Sequence, residues 1–88
     1  MNMNCWYTYV LYSKQLNRFY IGSTKDIKRR LEEHKYGHTL TTRKMKDFKL
    51  AYYEVCCSKE DAQFRERQLK TGFGRGYLKR RLKNSLPL

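Results

Sequence analysis

The sequence predicts an α/β chain of the α+β kind, with a three-stranded antiparallel sheet flanked by three helices in one domain over residues 1–88. Three observations carry this. Two segments rich in aromatic and β-branched residues lie in the first quarter of the chain, joined by a short polar link. A third such segment follows a polar stretch in the middle. The remaining segments place apolar residues at helical spacing behind good capping residues.

Cys5 to Ser13 reads as the first strand, Lys14 to Asn17 as its turn and Arg18 to Gly22 as the return strand. If the turn pairs Ser13 with Arg18, Tyr9 lies opposite Gly22 and Leu11 opposite Tyr20. Tyr9 and Tyr20 then share a face as diagonal neighbours, and a slip of one residue would separate them. Ser23 or Thr24 can cap a helix from Lys25 to about Tyr36, with Asp26 in its first turn. Ile27, Leu31 and His34 form its inward stripe, Arg30 borders that stripe, and Gly37 is the expected stop.

Residues 38–47, with Thr39, Thr41, Thr42, Arg43, Lys44 and Lys46, read as a polar basic loop suited to a sugar-phosphate backbone or to plain solvation. Phe48 to Cys57 reads as the third strand, with Leu50, Tyr52 and Tyr53 at its centre. Ser58 is the expected N-cap of a second helix ending near Thr71, where Gly72 stops it. A third, basic helix is expected over about Arg75 to Asn84, with Tyr77, Leu78 and Leu82 as apolar contacts. Pro87 marks its frayed end.

Length allows one domain and a small core. One Trp, eight Tyr and four Phe argue for folding rather than a disordered basic tail. No segment has the apolar run of a signal peptide or membrane span, so the expected compartment is the cytoplasm, with no membrane partner. Cys5, Cys56 and Cys57 fit neither a disulfide framework nor a zinc site. Cys5 and one of the adjacent pair are expected to be small, reduced core residues. Twenty basic residues against eight acidic ones give a formal charge of +12, which points to a polyanionic partner.

From Ala62 to Leu88, eight basic side chains surround a single acid, Glu66. Ala62, Glu66, Leu69 and Phe73 recur at 4-3-4 spacing, so Glu66 stands where the pattern wants an apolar side chain. An inward carboxylate is costly unless paired or bound to a cation. One reading is an ion pair with Lys70 or Arg30. The other is a ligand for a single divalent metal in a basic cleft.

Tyr7-Thr8-Tyr9, Tyr20-Ile21-Gly22, Arg30, His34 and Arg65-Glu66-Arg67 together resemble the GIY-YIG endonuclease superfamily, and the likeness spans nearly the whole chain. Tyr20 follows Tyr9 by eleven positions, Arg30 follows Gly22 by eight and His34 follows Arg30 by four. The chain departs from the pattern in reading Tyr-Thr-Tyr at the first motif. Ser23 stands where some relatives place a lysine, and Asn84 is the counterpart of an asparagine that many relatives carry near their end.

The resemblance implies hydrolysis of DNA phosphodiesters with one Mg²⁺ or Mn²⁺. Tyr9, Tyr20, Arg30, His34 and Glu66 would form the catalytic set, with Glu66 holding the metal. Ser23, Lys28, Arg43, Lys44, Lys46, Lys70 and Arg75 are the expected DNA contacts. Either Tyr9 or Tyr20 could orient or deprotonate the attacking water. The site is expected to work only if both phenols face the helix bearing Glu66.

No stretch is left over for a separate specificity domain, so the expected cutting is structure-selective or weakly selective, in repair, recombination or defence. The protein is expected to be a monomer or weak homodimer. A non-catalytic basic nucleic-acid-binding module and a nuclease subunit of a larger complex are the competing readings.

Overall fold

The computed structural model describes residues 5–36 and 47–86. Arg43, Lys44 and Lys46, the expected stop at Gly37 and the expected frayed end at Pro87 therefore lie outside the described residues. Three strands, β1 (Trp6–Ser13), β2 (Arg18–Thr24) and β3 (Lys49–Cys56), form an antiparallel sheet ordered β2-β1-β3. The central strand is thus β1, and β2 is an open edge.

The register between β1 and β2 is the expected one: Ser13 pairs with Arg18, Leu11 with Tyr20 and Tyr9 with Gly22. Asn17 takes a positive φ of 51° in the turn, a conformation asparagine tolerates better than most residues. Tyr12 holds it there by donating to Asn17 Oδ1 at 3.0 Å. Asp47 clamps the same turn, accepting from Ser13 Oγ at 2.5 Å and from the Gln15 amide at 2.7 Å. Between β1 and β3 the register shifts after Val10, which pairs with Tyr52 while Leu11 pairs with Leu50. Ala51 is the extra residue of a bulge.

The first helix, α1 (Ile27–Lys35), starts two residues later than expected. The β2 strand continues past Gly22, pairing Ser23 with Thr8 and Thr24 with Tyr7; the Ser23 hydroxyl goes to Glu66, and that of Thr24 accepts from the Asp26 amide at 3.1 Å, one step short of the helix. Asp26 is the cap instead, accepting from the Arg29 amide at 3.1 Å.

The second helix, α2 (Lys59–Leu69), begins as expected, with Ser58 accepting from the Asp61 amide at 3.1 Å. Its end corrects the sequence reading. Gly72 does not stop this helix but opens the next, α3 (Gly72–Arg81), which Thr71 caps by accepting from the Gly74 amide. The glycine that matters at this junction is Gly74. A Cβ there would lie 2.0 Å from the Leu69 carbonyl oxygen, so only glycine lets α3 turn so closely onto the end of α2.

Alternation along the strands gives the sheet two faces. Val10 and Ile21 point to one face, where they meet Leu69 of α2, Leu78 of α3 and Leu82 just beyond it in the main core. Each such buried aliphatic side chain contributes about 1.5–3 kcal/mol. Thr8 points the same way and donates to the Ala62 carbonyl at 2.8 Å, fixing α2 to the sheet centre. The other face carries Tyr9 and Tyr20 and is covered by α1.

Phe73, expected on the inward stripe with Glu66, belongs to α3, is 57% exposed and stacks on Tyr77. The cysteines are free, but Cys5 and Cys56 are only half-buried at the sheet margin rather than in the core, and Cys57 is exposed. No described helix is long and apolar enough to cross a membrane.

Candidate active site

Tyr9 sits in the middle of the central strand and is completely buried. Its hydroxyl lies directly over Gly22 on β2. A Cβ at that glycine would come within 2.6 Å of Tyr9 Oη, so the phenol occupies the space that any other residue would fill. The Tyr20-Ile21-Gly22 motif contains Gly22, but the sequence expectation for the site does not include it. The signal that could have found it was the register itself, which placed it opposite Tyr9.

Two side chains of α1 converge on this phenol. Arg30 Nε donates to Tyr9 Oη at 3.2 Å, and Tyr9 Oη lies 2.8 Å from His34 Nε2. Burial pushes the Tyr9 phenol up to about 12, against the opposing pull of the Arg30 hydrogen bond. Burial also lowers the His34 pKa, helped by the Arg30 charge. Both groups are thus held neutral near pH 7. The consistent arrangement has Arg30 donating to Tyr9 and Tyr9 donating to an imidazole whose proton is on Nδ1.

The Arg30 Nη1 pairs with Glu33 at 2.9 Å, and the Arg30 pKa rises above its already high ordinary value through the Tyr9 and Glu33 contacts. Among the described residues, Nη2 carries no hydrogen bond. With its guanidinium fixed on two sides, Arg30 presents this remaining donor edge to whatever enters.

Tyr20 packs its ring edge-on to His34, with centroids 5.1 Å apart, and tilted to Tyr9 at 6.4 Å. It is only half-buried, because β2 is an edge strand. Tyr20 also lines a shallow hollow with Lys70 and Arg75 from the α2–α3 junction.

Glu66 approaches from the other side of the sheet. Ser23, one residue beyond Gly22, points to the α2 face and donates to Glu66 Oε1 at 2.6 Å, while Lys70 Nζ lies 2.8 Å from Oε2. The expected pairing of Glu66 with Lys70 is therefore present, and that with Arg30 is not, since Arg30 holds Glu33. The expectation that Tyr9 and Tyr20 turn towards the helix bearing Glu66 is corrected. The phenols face α1, and the carboxylate lies on the opposite face, held there by Ser23 of the edge strand β2. The two sides nevertheless sense each other, because the Glu66 charge is among the influences raising the Tyr9 pKa.

A groove beside them is lined by Arg30 and Lys28 of α1, Ser23 of β2, Trp6 and Tyr7 of β1 and Lys59 of α2, so it holds the partners of both groups, Arg30 of Tyr9 and Ser23 of Glu66. Of the expected DNA contacts, Ser23 and Lys70 touch Glu66, Lys28 lines this groove with Ser23, and Arg75 lines the hollow beside Tyr20 with Lys70. Asn84 lies beyond α3 beside Tyr77 and Arg81, lining a separate hollow.

Among the described residues, no group of three or more His, Cys, Asp or Glu side chains could hold a metal. The donor set here is one carboxylate, Glu66, with the Ser23 hydroxyl on it. Such hard oxygen donors fit Mg²⁺ or Mn²⁺, ions that keep several waters and take the rest of their ligands from a phosphate substrate. They do not fit a closed protein cage.

No curated protein and no solved structure gives a match to the chain. A family model, the GIY-YIG catalytic domain, matches residues 5–83 and so covers nearly all of the sequence. With the sheet, the paired phenols and the α1 arginine in the arrangement described, the chain belongs to the GIY-YIG family of nuclease domains.

Proposed function

We propose that the protein is a divalent-metal-dependent endonuclease that hydrolyses DNA phosphodiesters with one Mg²⁺ or Mn²⁺, with structural rather than sequence selectivity, in repair or recombination. The observation that supports this best is the groove lined by Arg30, which Tyr9 and Glu33 fix, and by Ser23, whose hydroxyl holds Glu66. A phosphate entering that groove meets the Arg30 guanidinium and Ser23, with the Glu66 carboxylate, suited to a hard cation, hydrogen-bonded behind that serine.

In this reading Glu66 and Ser23 hold the metal, which when bound supplies Lewis acidity at the scissile phosphate. Lys70, now paired with Glu66, would be free to hold the substrate backbone wherever that carboxylate served the metal. Arg30 Nη2 donates to a non-bridging phosphate oxygen and offsets the charge that grows there. Tyr9, buried and held neutral, does not act as base but braces Arg30 with His34 behind it. Tyr20 is the phenol that reaches the surface, and it orients the attacking water as a phosphorus–oxygen bond forms and the bond to the leaving sugar oxygen breaks. Lys28, Lys70 and Arg75 hold phosphates on either side of the break.

The test compares wild type with Glu66→Gln on supercoiled, branched and single-stranded DNA, in Mg²⁺, Mn²⁺ or EDTA. The expected outcome is cleavage by wild type with either metal, none in EDTA, and loss on the order of 10³-fold in the variant, whose DNA binding persists. Wild type that binds DNA with ordinary salt sensitivity but cuts none of these substrates would support a binding module instead.

A further inference from the structure

The groove beside Glu66 contains more than phosphate contacts. Trp6 is the single tryptophan of the chain, and it takes no part in the buried core. A residue of this size and apolarity ordinarily anchors a core in so small a domain. Here it is half-buried at the start of β1 and lines the groove that also holds Ser23 and Arg30.

Tyr7 lines the same groove from the opposite face of the sheet, so aromatic surface is offered around the strand end. Lys59 Nζ lies over the indole, 5.7 Å from its ring centroid, and Gln63, one turn further along α2, adds an amide. Lys25, Lys28, Arg29, Arg30 and Lys59 bring five cations to the groove lining against the two acids Asp26 and Glu33.

Aromatic rings interleaved with cations are the physical requirement for holding an unpaired nucleotide, because the ring takes the base and the cations take its phosphate. A base inside a duplex is already stacked on its neighbours and offers no face to Trp6. We propose that Trp6 is the stacking platform for an unpaired nucleotide next to the scissile phosphate, which makes single-stranded or frayed DNA the preferred substrate class. An exposed cation–π contact is weaker than a base–indole stack, so the incoming base displaces Lys59 from the ring and the ammonium moves to the adjoining phosphate. The placement next to the break rests on the nuclease reading above. The stacking itself does not.

Because Trp6 is the only tryptophan, emission excited at the red edge of the indole band, where the eight tyrosines do not absorb, reports on this position alone. In EDTA, a twelve-nucleotide oligothymidylate quenches Trp6 emission, and a blunt duplex of the same length leaves it nearly unchanged. Trp6→Ala weakens single-strand binding by about tenfold and duplex binding by less than about twofold, while Trp6→Phe stays near wild type in an anisotropy assay. Single-strand binding that leaves the emission unchanged overturns the proposal, as does an equal loss for both DNAs in Trp6→Ala. If Trp6→Ala fails to fold, the wild-type emission and near-wild-type single-strand binding by Trp6→Phe decide. A protein that cuts no DNA in Mg²⁺ yet shows the quenching loses the nuclease reading and keeps this one.

Discussion

The two faces of the sheet solve opposite problems. On the α1 face, Tyr9, Arg30 and His34 form a hydrogen-bonded network around a phenol that is completely buried. On the α2 face, Glu66 is held by a serine and a lysine within reach of solvent, its side chain 20% exposed. The first arrangement is rigid and neutral apart from Arg30, so it can hold one guanidinium edge in place. The second is polar and exchangeable, so it can give up Lys70 and take a hydrated ion. Separating them by one edge strand keeps the carboxylate from quenching the arginine before substrate arrives.

The largest break in this comparison comes from Arg30→Ala. It removes the phosphate donor and the Tyr9 contact together, and cleavage should fall by roughly 10²–10³-fold with little change in Glu66-dependent metal binding. Isothermal titration with Mn²⁺ alongside single-turnover cleavage separates the two effects. An equal loss of metal affinity would show that the faces are not distinct.

Gly22→Ala strikes the seam between them. Its new Cβ meets Tyr9 Oη, so the phenol must move and take Arg30 with it. Overpacking of this kind costs about 1–3 kcal/mol, seen as a fall in Tm of several degrees, with at least about a tenfold loss of cleavage. Unchanged stability and rate would mean that the phenol is not fixed over Gly22.

The pH dependence of stability belongs to the α1 face. The folded pKa of His34 lies below its ordinary 6.5, so the unfolded chain binds the proton more readily, and stability falls as pH drops below about 6.5. The folded pKa of Tyr9 lies at about 12 against an ordinary 10, so stability also falls as pH rises from 10 towards 12, by roughly 2–3 kcal/mol in all. Urea melts across pH should show both limbs in wild type. His34→Gln should flatten the acid limb, and Tyr9→Phe the alkaline one.

The smallest effect belongs to the α2 face. Lys70→Met frees one Glu66 oxygen, and the Mg²⁺ needed for half-maximal rate should fall a few-fold. The salt slope of DNA binding should drop by about one, since a phosphate contact is lost. A higher Mg²⁺ requirement would show that Lys70 helps rather than competes.

Much of the α1 face was legible in the sequence because its parts are close in the chain. The pairing of Ser13 with Arg18 follows from the turn, and it alone places Tyr9 over Gly22. Arg30 and His34 follow from helical spacing. The α2 face was less legible. Glu66 stood out as a lone acid among cations, but which side of the sheet its helix would cover depends on how the chain crosses after β2.

Helix ends failed where tertiary context overruled local signals. Strand pairing claimed Ser23 and Thr24 and left the cap to Asp26. The close turn onto Leu69 needed Gly74, which freed Gly72 to begin a helix rather than end one. Trp6 was read as an ordinary strand residue, because nothing in the local pattern shows that the core would form without it.

The central claim is that one active site is assembled from both faces around the edge of β2. A double-mutant cycle with Arg30→Lys and Glu66→Asp tests it, read as single-turnover cleavage in Mg²⁺. If the faces act on the same phosphate, the double variant should lose little more than the worse single variant, because residues that work as a unit are strongly non-additive. Losses that multiply across the two substitutions would contradict the account.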